Sequence, residues 1–223
     1  MSNPSGTKQA TKEYSKILSI ALHRLHEKFQ EFSNAKRNIL EDNDYTLKER
    51  QAAFERLDKE LTEEGGEIVH EIMDTWKQAK AELVAPNGTV NNKELSEIMQ
   101  IIINADGALS EDTLNTVLAP IENNPSAIKS VLPLINKTGI AKSFENTHAK
   151  KILQATNRLK DSMDTAESFY KDMSIEHFDQ DKGYYYKDFT DHTLAISLMN
   201  KYFIDNVQLA EQAHNELMEL VNA

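Results

Sequence analysis

Apolar side chains recur at three- and four-residue steps over stretches far longer than an average globular helix. Tyr14, Ile17, Leu18, Ala21, Leu22, Leu25, Phe29, Phe32 and Ile39 form one stripe, and their spacing predicts a helix over residues 8–40. Leu47, Phe54, Leu57, Leu61, Ile68, Ile72, Trp76, Ala79 and Leu83 form a second, which predicts a helix over residues 47–83. At the α-helical rise each would be about 50 Å long. Between them Glu41-Asp42-Asn43-Asp44-Tyr45 interrupts the pattern. Thr46 and Glu49 then read as a capping box, in which each side chain satisfies a free backbone N–H of the new helix. So short a connection favours an antiparallel hairpin. Gly65-Gly66 lies in the middle of the second helix and marks a hinge, a close helix crossing or a tolerated kink.

Ala85-Pro86-Asn87-Gly88 ends this region, and three short helical patterns follow. The first carries Leu95, Ile98, Met99 and Ile102. The second is capped by Ser110, with Glu111 and Asp112 against the positive end of its dipole, and carries Leu114, Val117 and Leu118. The third opens at Asn124-Pro125, carries Ile128, Val131, Leu132 and Ile135, and closes at Lys137-Thr138-Gly139. Two more long patterns cover residues 143–173 and 190–221, separated by an aromatic stretch around Tyr184, Tyr185 and Tyr186. The expected fold class is all-α, an elongated helical bundle. Its expected divisions are a flexible tail (1–8), a long hairpin (9–85), a short-helix module (90–140) and a second long pair (142–223) with an aromatic loop at 175–189.

Composition narrows the partners. Seven Gly, five Pro and 27% charged residues in a 223-residue chain leave little material for strands. The mean hydropathy of −0.57 suits helices with large solvated faces. A net charge of −11 repels phosphate backbones, so nucleic acid is not expected as the main target. The absence of cysteine removes thiolate metal sites, disulfides and cysteine nucleophiles. Residues 1–7 lack the apolar core of a signal peptide, and no run of about 18 apolar residues predicts a transmembrane segment.

Candidate chemistry is sparse. Residues 104–111 have the glycine of a calcium loop, but Ile102 and Thr113 stand where its first and twelfth ligands belong; residues 179–183 fail similarly. Three Glu-x-x-His pairs occur: Glu67/His70, Glu145/His148 and Glu211/His214. Di-iron carboxylate bundles use two such pairs plus two inward glutamates. Glu67 and His70 fall off their apolar stripe, which leaves Glu145, His148, Glu211 and His214 as metal candidates against the default of surface ion pairs or polar core contacts. His23 and His26 read as solvated. Hydrolase, P-loop and dinucleotide signatures are absent, so no catalytic or cofactor-binding residue is assigned and no cofactor is expected. Trp76, Tyr184, Tyr185 and Tyr186 are the candidate partner-contact residues, since such rings join apolar area to a polar handle.

The order of three segments carries a resemblance. DYTLKERQAAFERLDKEL (44–61) opens a long helix, LSEIMQIIINADGALSEDTL (95–114) follows a linker, and ENNPSAI (122–128) comes next. Over roughly residues 40–140 the chain resembles small helical structural proteins encoded among the head genes of tailed phages of Gram-positive bacteria. The resemblance implies a virion-associated minor head protein, bound at the portal or released with the genome. It also implies helix-mediated contacts with portal or capsid proteins or with itself as a homo-oligomer, and no catalytic residue. Three alternatives stand beside it: a capsid assembly scaffold, a di-iron carboxylate enzyme and a cytosolic helical adaptor. The acidic ending EQAHNELMELVNA (211–223) counts against the scaffold, whose kind often ends in a basic helix.

Overall fold

A computed structural model describes residues 12–86, 88–105, 107–172 and 193–222, with the side chains of 193–200 excepted. Among these residues there are eight α-helices and no strand, so the fold is all-α. The helices are α1 (Tyr14–Glu41), α2 (Leu47–Glu82), α3 (Asn92–Asn104), α4 (Glu111–Leu118), α5 (Pro125–Lys137), α6 (Ala141–Phe144), α7 (His148–Asp172) and α8 (Thr193–Val221). A 3-10 turn, Ala119–Ile121, follows α4. The chain packs as two units. Unit 1 holds Met1–Glu82 with Met163–Gln208, and unit 2 holds Leu83–Ser162 with Leu209–Ala223. The hairpin thus shares a unit with one part of α7 and α8, and the short helices share the other unit with the rest.

In unit 1 the hairpin is antiparallel, because cross-helix partners fall in number along α2 as they rise along α1. Lys12 Nζ donates to Gln78 Oε1 at 2.7 Å, Arg24 pairs with Glu71 at 2.7 Å and Lys28 with Glu64 at 2.8 Å. Further out Phe32 and Leu61 pack together with Phe29 and Leu57. Hydrogen bonds to Glu64 and then Glu31 push the Lys28 ammonium up to about 12. These exposed pairs set register. Burial of Leu18, Leu22, Leu25, Ile68 and Ile72 supplies the stability, about 1.5–3 kcal/mol for each large side chain. α1 begins at Tyr14, later than its periodicity suggests, since neither Lys12 nor Glu13 is helical and Glu13 makes no side-chain cap. Lys12 instead reaches α2 and the Tyr14 ring, 5.1 Å from its ammonium.

The turn and its cap follow local chemistry. Asp42 Oδ1 accepts from the Asp44 N–H at 2.9 Å, and Arg50 donates to the Asp42 carbonyl at 2.7 Å. The Thr46 N–H donates to Glu49 Oε2 at 2.8 Å and the Glu49 N–H to Thr46 Oγ1 at 3.4 Å, which closes the capping box. Hydrogen bonds from the Thr46 side chain and then its backbone hold the Glu49 carboxyl below its ordinary range. α2 runs unbroken through Gly65 and Gly66, and both are buried.

Unit 2 is built on caps and close backbone contacts. Ser110 Oγ accepts from the Thr113 N–H at 3.3 Å, and Asn124 Oδ1 from the Ala127 N–H at 2.9 Å. The Asn124 amide also donates to the Gly88 carbonyl, while the Gly88 N–H reaches the Asn123 carbonyl at 3.3 Å. This two-way clasp pins the segment after α2 to the start of α5. α5 continues through Pro133, where the lost N–H is harmless because Pro133 and Lys129 are both exposed. One predicted helix, over residues 143–173, is split. α6 ends at Phe144 and α7 starts at His148 because the buried Thr147 hydroxyl donates to the Phe144 carbonyl at 2.7 Å and accepts from the Lys150 N–H at 3.2 Å. Asn115 of α4 accepts from the His148 N–H at 3.0 Å, a second cap supplied from another helix.

Gly107 and Gly139 both take positive φ, +84° and +78°. A Cβ on Gly107 would lie 2.9 Å from the Thr138 carbonyl oxygen, whereas one on Gly139 would meet open space. Gly107→Ala should therefore cost about 2 kcal/mol or more and Gly139→Ala about 1 kcal/mol. Urea unfolding of the two variants, followed by circular dichroism, checks the order; equal losses would contradict the close approach.

Candidate contact surface

The expected contact residues separate at once. Tyr184, Tyr185 and Tyr186 lie outside the described residues, as do the tail at 1–8 and the aromatic loop at 175–189. Trp76 is 1% exposed, so its expected place at a contact surface is corrected to the core of unit 1. Its ring meets Phe203 edge-on at 5.2 Å and Tyr170 tilted at 5.8 Å, and those two lie 5.9 Å apart. The apolar stripe of α2 places Trp76 inward, and α7 and α8 bring the rings that cover it. Its indole N–H donates to Glu167 Oε2 at 2.8 Å, which satisfies the one polar atom that burial would strand.

Glu167 is thereby the hub of a partly buried polar network. Lys80 lies 3.1 Å and Lys171 3.6 Å from its carboxylate, and the Lys80 ammonium also sits 5.6 Å from the Trp76 ring centroid. Burial pushes the Glu167 carboxyl up. Hydrogen bonds from Lys80 and Trp76, with the charges of Lys80 and Lys171, outweigh it and hold the group below its ordinary 4.5.

The Glu-x-x-His pairs have separate partners. Glu145 pairs with Lys150 at 2.9 Å. The His148 Nε2–H donates to the Leu220 carbonyl in the last turn of α8 at 2.9 Å, tying the two helix ends of unit 2 together. Arg158 and Glu216 pair on the same two helices, which run antiparallel. Glu211 is buried at 8% exposure. Burial lowers the His214 imidazole from its ordinary 6.5, partly offset by a hydrogen bond with the Val84 backbone. His214 Nδ1 and Thr156 Oγ1 are buried with no hydrogen-bond partner among the described residues. His70 Nδ1 donates to the Gly66 carbonyl at 3.1 Å. No three His, Asp or Glu side chains converge as metal ligands among the described residues. His23 pairs with Glu27 at 3.3 Å and His26 accepts from Gln30 at 2.9 Å. Both line an open groove of about 350 Å³ in unit 1, together with Ser19, Lys201 and Asp205.

The strongest contact feature is one that periodicity conceals. Residues 33–60, the distal half of the hairpin, contain no buried residue. Ile39, Phe54 and Leu57 are half-buried there, and Leu40, Tyr45 and Leu47 at the tip are 54%, 39% and 87% exposed. The Lys36 ammonium lies over the rings of Phe32 and Phe54, at 5.3 and 5.2 Å, and shields part of the stripe. The stripe continues in sequence while its cover stops. Among the described residues no helix is long and apolar enough to cross a membrane. Comparison of the chain with protein-family models, curated proteins and solved structures returned no match.

Two predictions follow from the Trp76 network. Trp76→Ala should destabilise by about 3–5 kcal/mol, measured by urea unfolding, because it empties a large buried volume and removes one of the donors to Glu167. The lowered Glu167 group stabilises the fold above its ordinary 4.5, and that contribution is lost as pH falls through the folded-state value. Glu167→Gln should therefore lose stability at neutral pH and show a shallower acid loss below pH 4.5 than the parent. Parallel curves for the two proteins would show that the network does not hold the charge.

Proposed function

We propose that this chain is a non-enzymatic structural protein of a phage particle, a minor head protein that works through helix contacts with portal or capsid proteins or with further copies of itself. The carrying observation is the distal hairpin, where none of 28 consecutive residues is fully buried and Leu47 is 87% exposed. A helix pair that continues its apolar stripe beyond its own cover is built to be covered by something else. The phage setting is supported by the ordered resemblance over residues 40–140. The Glu-x-x-His residues fit a structural protein equally well, since the partners found for Glu145 and His148 are a lysine and a backbone carbonyl.

Density-gradient separation of particles from the native source, with mass spectrometry locating the chain, tests this. Co-sedimentation with DNA-filled particles is expected. Presence only in empty precursor shells would point to a scaffold instead, and absence from every particle fraction would overturn the reading.

A further inference from the structure

We infer that the distal half of the hairpin, residues 33–60, docks against the same half of a second copy, two hairpins forming a four-helix bundle about a two-fold axis. This deepens the contact reading above by naming the occupant of one surface. α1 contributes about 13 Å to the arm and α2 about 20 Å. Half-buried Ile39, Phe54 and Leu57 and exposed Leu40 and Leu47 are the apolar positions that a second hairpin would close over.

Charge selects a second copy as the partner. The chain carries −11 overall, which opposes association of identical molecules through its acidic surface. Residues 33–60 hold six Lys and Arg against seven Asp and Glu, a net −1, so this surface adds little repulsion between identical copies. The charges are also sorted along the arm. Residues 41–50 hold Glu41, Asp42, Asp44 and Glu49 against Lys48 and Arg50, a net −2. The remainder holds Lys36, Arg37, Arg56 and Lys59 against Glu55, Asp58 and Glu60, a net +1. Two arms laid tip to base place each acidic tip on the partner's basic base. Two arms laid tip to tip place acid on acid. The antiparallel two-fold arrangement follows, with each surface contacting its own equivalent.

Light scattering coupled to gel filtration, with sedimentation equilibrium for affinity, tests this on the full chain. The parent is expected to be a dimer, and Leu40→Glu with Leu47→Glu a monomer of unchanged circular dichroism, since both side chains are exposed in the single copy. Glu41→Lys with Asp44→Lys should weaken the dimer roughly tenfold or more, and adding Arg37→Glu with Arg56→Glu should restore it. A parent monomeric at every concentration, or a dimer indifferent to the leucine changes, overturns the inference. A dimer broken by the leucines but not restored by the double reversal overturns the tip-to-base arrangement. Either failure leaves the particle experiment unaffected, and absence from particles leaves the dimer standing.

Discussion

Two helices packed side by side leave each apolar stripe partly open to water, and unit 1 resolves this around Trp76. There the rings of Tyr170 and Phe203 meet the indole, and Glu167 accepts its N–H while holding Lys80 and Lys171. The cluster combines two requirements. Large rings exclude water, and the polar atoms carried in with them are paired. Tyr14, Leu18, Ile72 and Ala79, all at 0% exposure, belong to the same packed level of the hairpin. Between residues 33 and 60 such burial is missing, and the same hairpin exposes leucine on its helices and tyrosine in its turn. One continuous pattern thus serves two roles, core at one end and surface at the other.

Unit 2 is held by a different economy of interactions. Its short helices rely on caps and on backbone approaching backbone. Gly107 lies against the Thr138 carbonyl, Asn124 caps α5 while holding Gly88, and Asn115 caps α7 from α4. These contacts have little tolerance for an added Cβ or a lost amide. The buried aliphatics Ile98, Ile102, Leu114, Ile128, Val131 and Ile135 supply most of the stabilising area, and the polar contacts fix one arrangement among several that such area would allow.

What the sequence revealed follows the range of the interactions. The Thr46–Glu49 box, the Ser110 cap and the Asn124-Pro125 start are set by neighbours within a turn, and all are present as read. The all-α class follows from periodicity over whole segments. The break before α7 was not legible, because Thr147 takes its role from Phe144 and Asn115, which periodicity does not connect. Pro133 does not end α5, because an exposed face forgives its missing donor, and that exposure is set by tertiary packing. Trp76 was legible as a stripe position but not as a core anchor. What covers it lies at Tyr170 and Phe203, roughly a hundred or more residues away in sequence. Leu47 is the opposite case, an apolar residue on the stripe with nothing to bury it in the single chain.

Trp76 has an optical consequence. It is the chain's only tryptophan, and it sits inside unit 1 against two rings and a carboxylate. Its emission reports the packing of that unit and carries no direct signal from the short helices of unit 2. Far-ultraviolet dichroism sums the helices of both. The two signals coincide during unfolding only if both units melt together, so this one indole turns the chain into its own gauge of cooperativity.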